Sequence, residues 1–141
     1  MNKDIVKAWD LHNHKLKEYF KVTPQDEYAS YKILLTKTLE FLFVDEDEMP
    51  DAKLITEINN GDYQGTLVFV IGGYGYQPSI DNHWYTSVYY GSCSGCDTLQ
   101  GIRSEGEYDE LATDEQVNDY WTLCLHMIQK MKRMNGNEKQ A

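Results

Sequence analysis

Between residues 45 and 119 the chain has almost no positive charge: Lys53 and Arg103 stand against sixteen Asp and Glu, a net of −14. A segment of that kind repels phosphate backbones and attracts basic surfaces, so direct binding of DNA or RNA is disfavoured. The flanks do not share the bias, with +1 over residues 1–44 and +3 over 120–141, which leaves −10 for the whole chain. Cysteine and proline are also scarce, three of each in 141 residues. Three thiols cannot all pair within one molecule, and Met1-Asn2-Lys3-Asp4-Ile5-Val6-Lys7 lacks the apolar stretch of a secretory signal. A reducing, cytoplasmic compartment is expected. No apolar run approaches the roughly 18–20 residues that span a bilayer, which argues against a membrane partner.

What is present suffices for a core. A hydrophobic fraction of 41% argues against wholesale disorder, and 141 residues fit one domain, taken as 1–134 with a polar tail at 135–141. Ile5, Trp9, His12, Leu16, Tyr19 and Phe20 recur at three- and four-residue intervals and predict a helix over 3–21. Thr23-Pro24 reads as the cap and first residue of a second helix, whose buried stripe is Tyr28, Tyr31, Leu35, Leu39 and Leu42. That helix should stop near Phe43, because Asp45-Glu46-Asp47-Glu48 opposes the negative end of its dipole and Pro50 follows.

From Lys53 the period changes. Leu54 to Ile58 predicts a short strand, Asn60-Gly61 a hairpin turn, Thr66 to Ile71 a central strand and Trp84 to Tyr90 a third strand rich in aromatics. The stretch from Gly72 to Pro78 reads as a loop, and no helix follows its glycines at phosphate-binding spacing. Thr113 with Gln116 makes a capping box for a last helix over 114–134, with Val117, Tyr120, Trp121, Cys124, Ile128 and Met131 inward. The fold class is therefore α+β: two N-terminal helices, a three-stranded antiparallel sheet, an irregular segment and a long C-terminal helix.

The feature with the most chemistry is Cys93-Ser94-Gly95-Cys96. It falls between a strand end and a short helix starting near Asp97, and Gly95 lets both sulfurs turn toward one point, where zinc would hold them at about 2.3 Å. A structural site needs four ligands, and there is no second such pair. Cys124 and His126 lie about 200° apart around a helix, so one metal does not take both readily. His83 is separated from Cys93 by a whole strand, about 20 Å or more. The zinc set is then Cys93, Cys96 and His126, completed by Asp97 or Cys124. Two other readings stand beside it: small residues in a tight turn, and a redox pair activated at a helix N-terminus. His12 and His14 face opposite sides of their helix and form no joint site. Tyr74, Tyr76, Tyr85, Tyr89 and Tyr90 gather on one hairpin, where they either anchor a partner or pack against the helices.

The run Tyr89-Tyr90-Gly91-Ser92-Cys93-Ser94-Gly95-Cys96-Asp97-Thr98-Leu99-Gln100, with Leu125-His126-Met127-Ile128-Gln129-Lys130-Met131-Lys132 after it, resembles a group of small proteins encoded by phages and prophages. The likeness covers about residues 84–132 and omits both N-terminal helices. It implies, by analogy, an inhibitor of host defence of the anti-CRISPR kind, acting in the cytoplasm of a host bacterium. The expectation is a zinc-stabilised acidic protein, not an enzyme, that docks on the basic nucleic-acid-binding surface of a host protein such as a type II CRISPR nuclease. Asp45, Glu46, Asp47 and Glu48 would steer the encounter, and Tyr74 and Tyr76 would anchor it. The rivals are a thiol- or metal-dependent enzyme built on Cys93 and Cys96, and a phage accessory protein without a defence role.

Overall fold

One face of an antiparallel sheet carries the core. A computed structural model describes residues 3–25, 30–61, 64–75, 80–92, 97–103 and 110–134. The order is α1 (Lys3–Val22), α2 (Tyr31–Leu42), β1 (Pro50–Asn59), β2 (Gly65–Gly73), a 3-10 turn (Ile80–Asn82), β3 (His83–Tyr90), α3 (Thr98–Arg103), α4 (Asp114–Gln129) and β4 (Lys132–Arg133). The strands lie in the order β1-β2-β3-β4, each antiparallel to its neighbour. Leu67, Phe69 and Ile71 of β2 and Trp84 and Val88 of β3 are buried, alternating with half-buried or exposed neighbours as the pleat requires until Gly72 and Gly73, which are buried too. α2 and α4 pack on the sheet, and α1 packs on α2 and α4.

Two expectations about this architecture are corrected. The sheet has four strands, not three, and the short helix expected near Asp97 is a third helix, α3, that the fold class of two N-terminal helices and one C-terminal helix left out. The last helix was expected to run to residue 134, yet it ends at Gln129. Met131, 1% exposed, turns into the core, and Lys132 and Arg133 then pair with Tyr85 and Trp84. The Met134 N–H donates to the His83 carbonyl (3.0 Å) and Arg133 lies over the Trp84 ring (4.5 Å), so β3 is closed at that end. Two residues of strand have no periodicity of their own, and only the pairing defines them.

Local signals elsewhere are used as chemistry predicts, with one displacement. Thr113 and Gln116 form the reciprocal capping box of α4. α2 is capped by Ser30, whose hydroxyl accepts from the Ile33 N–H (3.2 Å), and not by Thr23. Asn60-Gly61 does begin the β1–β2 connection. Asn60 Oδ1 accepts from the Thr66 N–H (2.8 Å), and a Cβ on Gly61 would collide with the Gln64 carbonyl. The tail 135–141 lies outside the described residues. Among those described, no helix is long and apolar enough to cross a membrane.

Cys124 sits at the centre of this packing, fully buried, and burial pushes its thiol up to about 12 against a smaller opposing hydrogen bond from Thr38. Because the folded value is the higher one, the thiol's contribution to stability is complete below about pH 9. It is lost as pH rises toward about 12, where only the unfolded thiol ionises. Denaturant unfolding of the wild type and Cys124→Ala should therefore converge. Their difference in stability should shrink by about 1.5 kcal/mol between pH 9 and 10.5. A constant difference over that range would show that the thiol ionises in the fold.

Candidate interaction site

The turn after α2 breaks two local preferences between Asp45 and Glu48. Phe43 ends the helix in an extended conformation, its N–H still bonded to the Leu39 carbonyl (2.9 Å). Asp45, Glu46, Asp47 and Glu48 then crowd the negative end of a helix whose last turn contains no basic residue. Asp45 and Glu48 have φ of 50° and 67°, the left-handed region that costs a non-glycine residue about 1–2 kcal/mol. Main-chain bonds hold the turn against that cost. Asp47 bridges Tyr74, the Glu48 N–H donates to the Tyr74 carbonyl (3.1 Å), the Tyr74 N–H to the Met49 carbonyl (2.8 Å), and the Met49 N–H to the Glu46 carbonyl (3.1 Å). Strained, like-charged segments persist where the surroundings over-determine them, and such places gather at functional sites.

The clamped turn separates two grooves. On one side, Glu40, Phe43, Val44, Asp45, Pro50, Asp51, Ala52, Lys53 and Tyr74 line a space of about 260 Å³. Val44 is 73% exposed there, an aliphatic side chain among carboxylates. On the other side, Glu46 and Met49 face α1 across a groove of about 350 Å³, with Asp4, Lys7, Ala8, Leu11, His12 and Leu42. The first groove has apolar walls for the stem of a lysine or arginine and acids at its rim for the head.

Sequence reasoning placed Asp45, Glu46, Asp47, Glu48 and Tyr74 in one site, and the structure brings the acids beside Tyr74 although 26 positions separate Glu48 from it. Tyr76 lies outside the described residues. Tyr85 and Tyr89, 38% and 53% exposed, lie on the open sheet face, while the Tyr90 hydroxyl donates to Asn59 Oδ1 (2.7 Å). Val44, Glu40 and Asp51 were missed. The available signal was Val44 itself, an apolar residue stranded between a helix end and an acidic run.

No zinc centre is formed among the described residues. Cys93 and Cys96 lie outside the described residues, and among those described no group of three or more His, Cys, Asp or Glu could hold a metal ion. Asp97 is 6% exposed and committed elsewhere: Oδ1 accepts from the Tyr31 hydroxyl (2.9 Å) and the Gln100 N–H (3.0 Å), and Oδ2 from the Gly91 N–H (2.9 Å). It is the N-terminal cap of α3 and the clasp that brings Gly91 to Asp97. Burial above all holds the Tyr31 hydroxyl well above its usual range, with the Asp97 hydrogen bond acting in the same direction, so it stays a donor. Cys124 is buried as a neutral thiol, and His126 is exposed on α4. Asp97, Cys124 and His126 therefore do not converge.

No family model, curated protein or solved structure matches the chain. With no match to an inhibitor or nuclease-binding protein and no metal site among the described residues, the reading as a zinc-stabilised phage inhibitor of a CRISPR nuclease is withdrawn along with its metal.

The strain in the acidic turn has a measurable sign. Glu48→Gly should stabilise the fold by about 0.5–1 kcal/mol, since glycine adopts φ of 67° freely. Glu40→Gly on α2 should cost about 1 kcal/mol. Denaturant midpoints that fall equally in both would show that Glu48 carries no strain.

Proposed function

We propose that the chain is a non-catalytic protein-interaction domain that receives a basic segment of a partner protein in the groove beside the acidic turn. The observation that carries this is the clamped turn itself: four consecutive acids, two of them in left-handed backbone, fixed by main-chain bonds to Tyr74 beside the exposed Val44. That arrangement gains nothing for stability and presents charge next to an apolar anchor point. The −14 of residues 45–119 supplies a long-range field of the same sign. The partner surface it suits is lysine- and arginine-rich, the kind that otherwise meets nucleic acid, and the cytoplasm is the compartment proposed for the encounter.

The two parts of the site have separable kinetic signatures. A labelled peptide of alternating Lys/Arg and aliphatic residues should bind, and its Glu-substituted counterpart should not. Affinity should weaken as salt rises through the physiological range. Reversing Asp45, Glu46, Asp47 and Glu48 to lysine should slow association about tenfold or more. Tyr74→Ala removes only the ring, because the bonds to the turn are main-chain, and should mainly speed dissociation, by about tenfold. Binding indifferent to both salt and charge reversal would remove the reading.

A further inference from the structure

Among the described residues, the helices pack on one face of the sheet and none packs on the other. The open face is built from the positions that alternate with Leu67, Phe69 and Ile71, and the register orders them in rows across the strands. Ile58, Val68 and Ser87 make one row, and Thr56, Val70, Tyr85 and Lys132 the next. Thr66 with Tyr89 and Gly72 with His83 flank these two. Ile58, Tyr85 and Tyr89 leave 51%, 38% and 53% of their surface in solvent. No row contains Asp or Glu, although the chain has 23, and Lys132 is the one Lys or Arg among them. The face exposes on the order of 600 Å², the lower end of what each partner of a stable interface buries. A monomer seldom leaves so large a patch of this kind without a use for it.

We propose that this face packs on the same face of a second copy, two sheets of a sandwich about a two-fold axis running along the strands between β2 and β3. Charge and relief select the occupant. Two chains of net charge −10 repel, so a contact between copies is confined to a surface free of acids, and these rows are one. A basic partner finds no carboxylate in them, and an acidic partner finds only Lys132. The relief is self-complementary. On β3, Tyr85 and Tyr89 form a ridge, while β2 beside it carries the smaller Val68, Val70 and Gly72. Val70 and Gly72 line a groove of about 490 Å³ together with Leu54, Thr56 and His83. An axis along the strands lays the ridge of each copy over the furrow of the other, and sets Tyr85 against the partner's Val70, because the two share a row. An axis across the strands would lay ridge on ridge.

Sedimentation velocity on the full chain, up to about 0.5 mM and at low and high salt, tests this. The wild type should dimerise, and more tightly as salt rises, because screening removes the repulsion between the two copies. Binding of a basic segment at the acidic turn has the opposite salt dependence, so the two proposals stand or fall separately. Thr56→Glu sets a carboxylate in the face, Tyr85→Ala removes the ridge and Val70→Tyr fills the furrow, and each should weaken the dimer about tenfold or more. The double variant V70Y/Y85V exchanges ridge and furrow within one row and should recover the wild-type constant to within about threefold. Thr56 is exposed and Tyr85 and Val70 are at least partly so, and circular dichroism should be unchanged in all four variants, which excludes misfolding as the cause. A monomer at every concentration and salt, a dimer that weakens as salt rises, a dimer indifferent to the single exchanges, or a double variant no better than its singles would each overturn the proposal.

Discussion

One buried carboxylate organises the molecule. Asp97 accepts hydrogen bonds from the first residue of α2, from the main chain just beyond β3 and from the first turn of α3, while the Leu99 N–H donates to the same Tyr31 hydroxyl (3.1 Å). Gln100 closes the ring by donating its side-chain amide to the Gly91 carbonyl (3.1 Å). A buried anion so fully satisfied is stable where the same group left unpaired would cost several kcal/mol. The knot fixes where α2 begins. A helix of twelve residues is a rod of roughly 18 Å, so fixing its start also fixes the acidic turn at its far end.

The electrostatic character of that turn follows from position as much as composition. Exposed acids are common and mostly solvated. These four stand just beyond a helix C-terminus, where carbonyl groups already point outward, and two have backbone angles that glycine or asparagine would adopt more cheaply. The sheet holds the main chain of the turn through Tyr74, so the backbone that carries these charges is fixed. A preformed site loses little entropy when a partner arrives.

Elements that bury a stripe were legible in the sequence. Ile5, Trp9, Leu16 and Phe20 announce α1, and Thr113 with Gln116 states where α4 begins. Elements defined by partners were not. Lys132 and Arg133 form a strand only because β3 has an edge there, and Ser30 outcompetes Thr23-Pro24 as a cap because Tyr31 must reach Asp97. Asp97 shows the same limit in chemical form. A carboxylate next to Cys-x-x-Cys fits a metal ligand or a helix cap equally well in one dimension, and only the hydroxyl arriving from 66 residues away decides for the cap. Asp45 to Glu48 were legible as a candidate site because charge is visible in composition. The groove beside them was not, since Phe43, Pro50 and Ala52 of its walls carry no signal of their own and only the stranded Val44 does.

The first helix is completed by the last. Trp9 meets Trp121 at 5.3 Å between ring centroids, Phe20 stacks on Tyr120 at 5.2 Å, and the Trp121 indole N–H donates to the Asn13 carbonyl (3.3 Å). A hundred positions of chain or more separate the two sides of each contact. During synthesis α1 can close on α2 early, as Tyr19 does on Phe41, but the side that meets α4 stays bare until α4 leaves the ribosome. Closure of the core is therefore late, and until then that side of α1 is a surface for chaperones to hold.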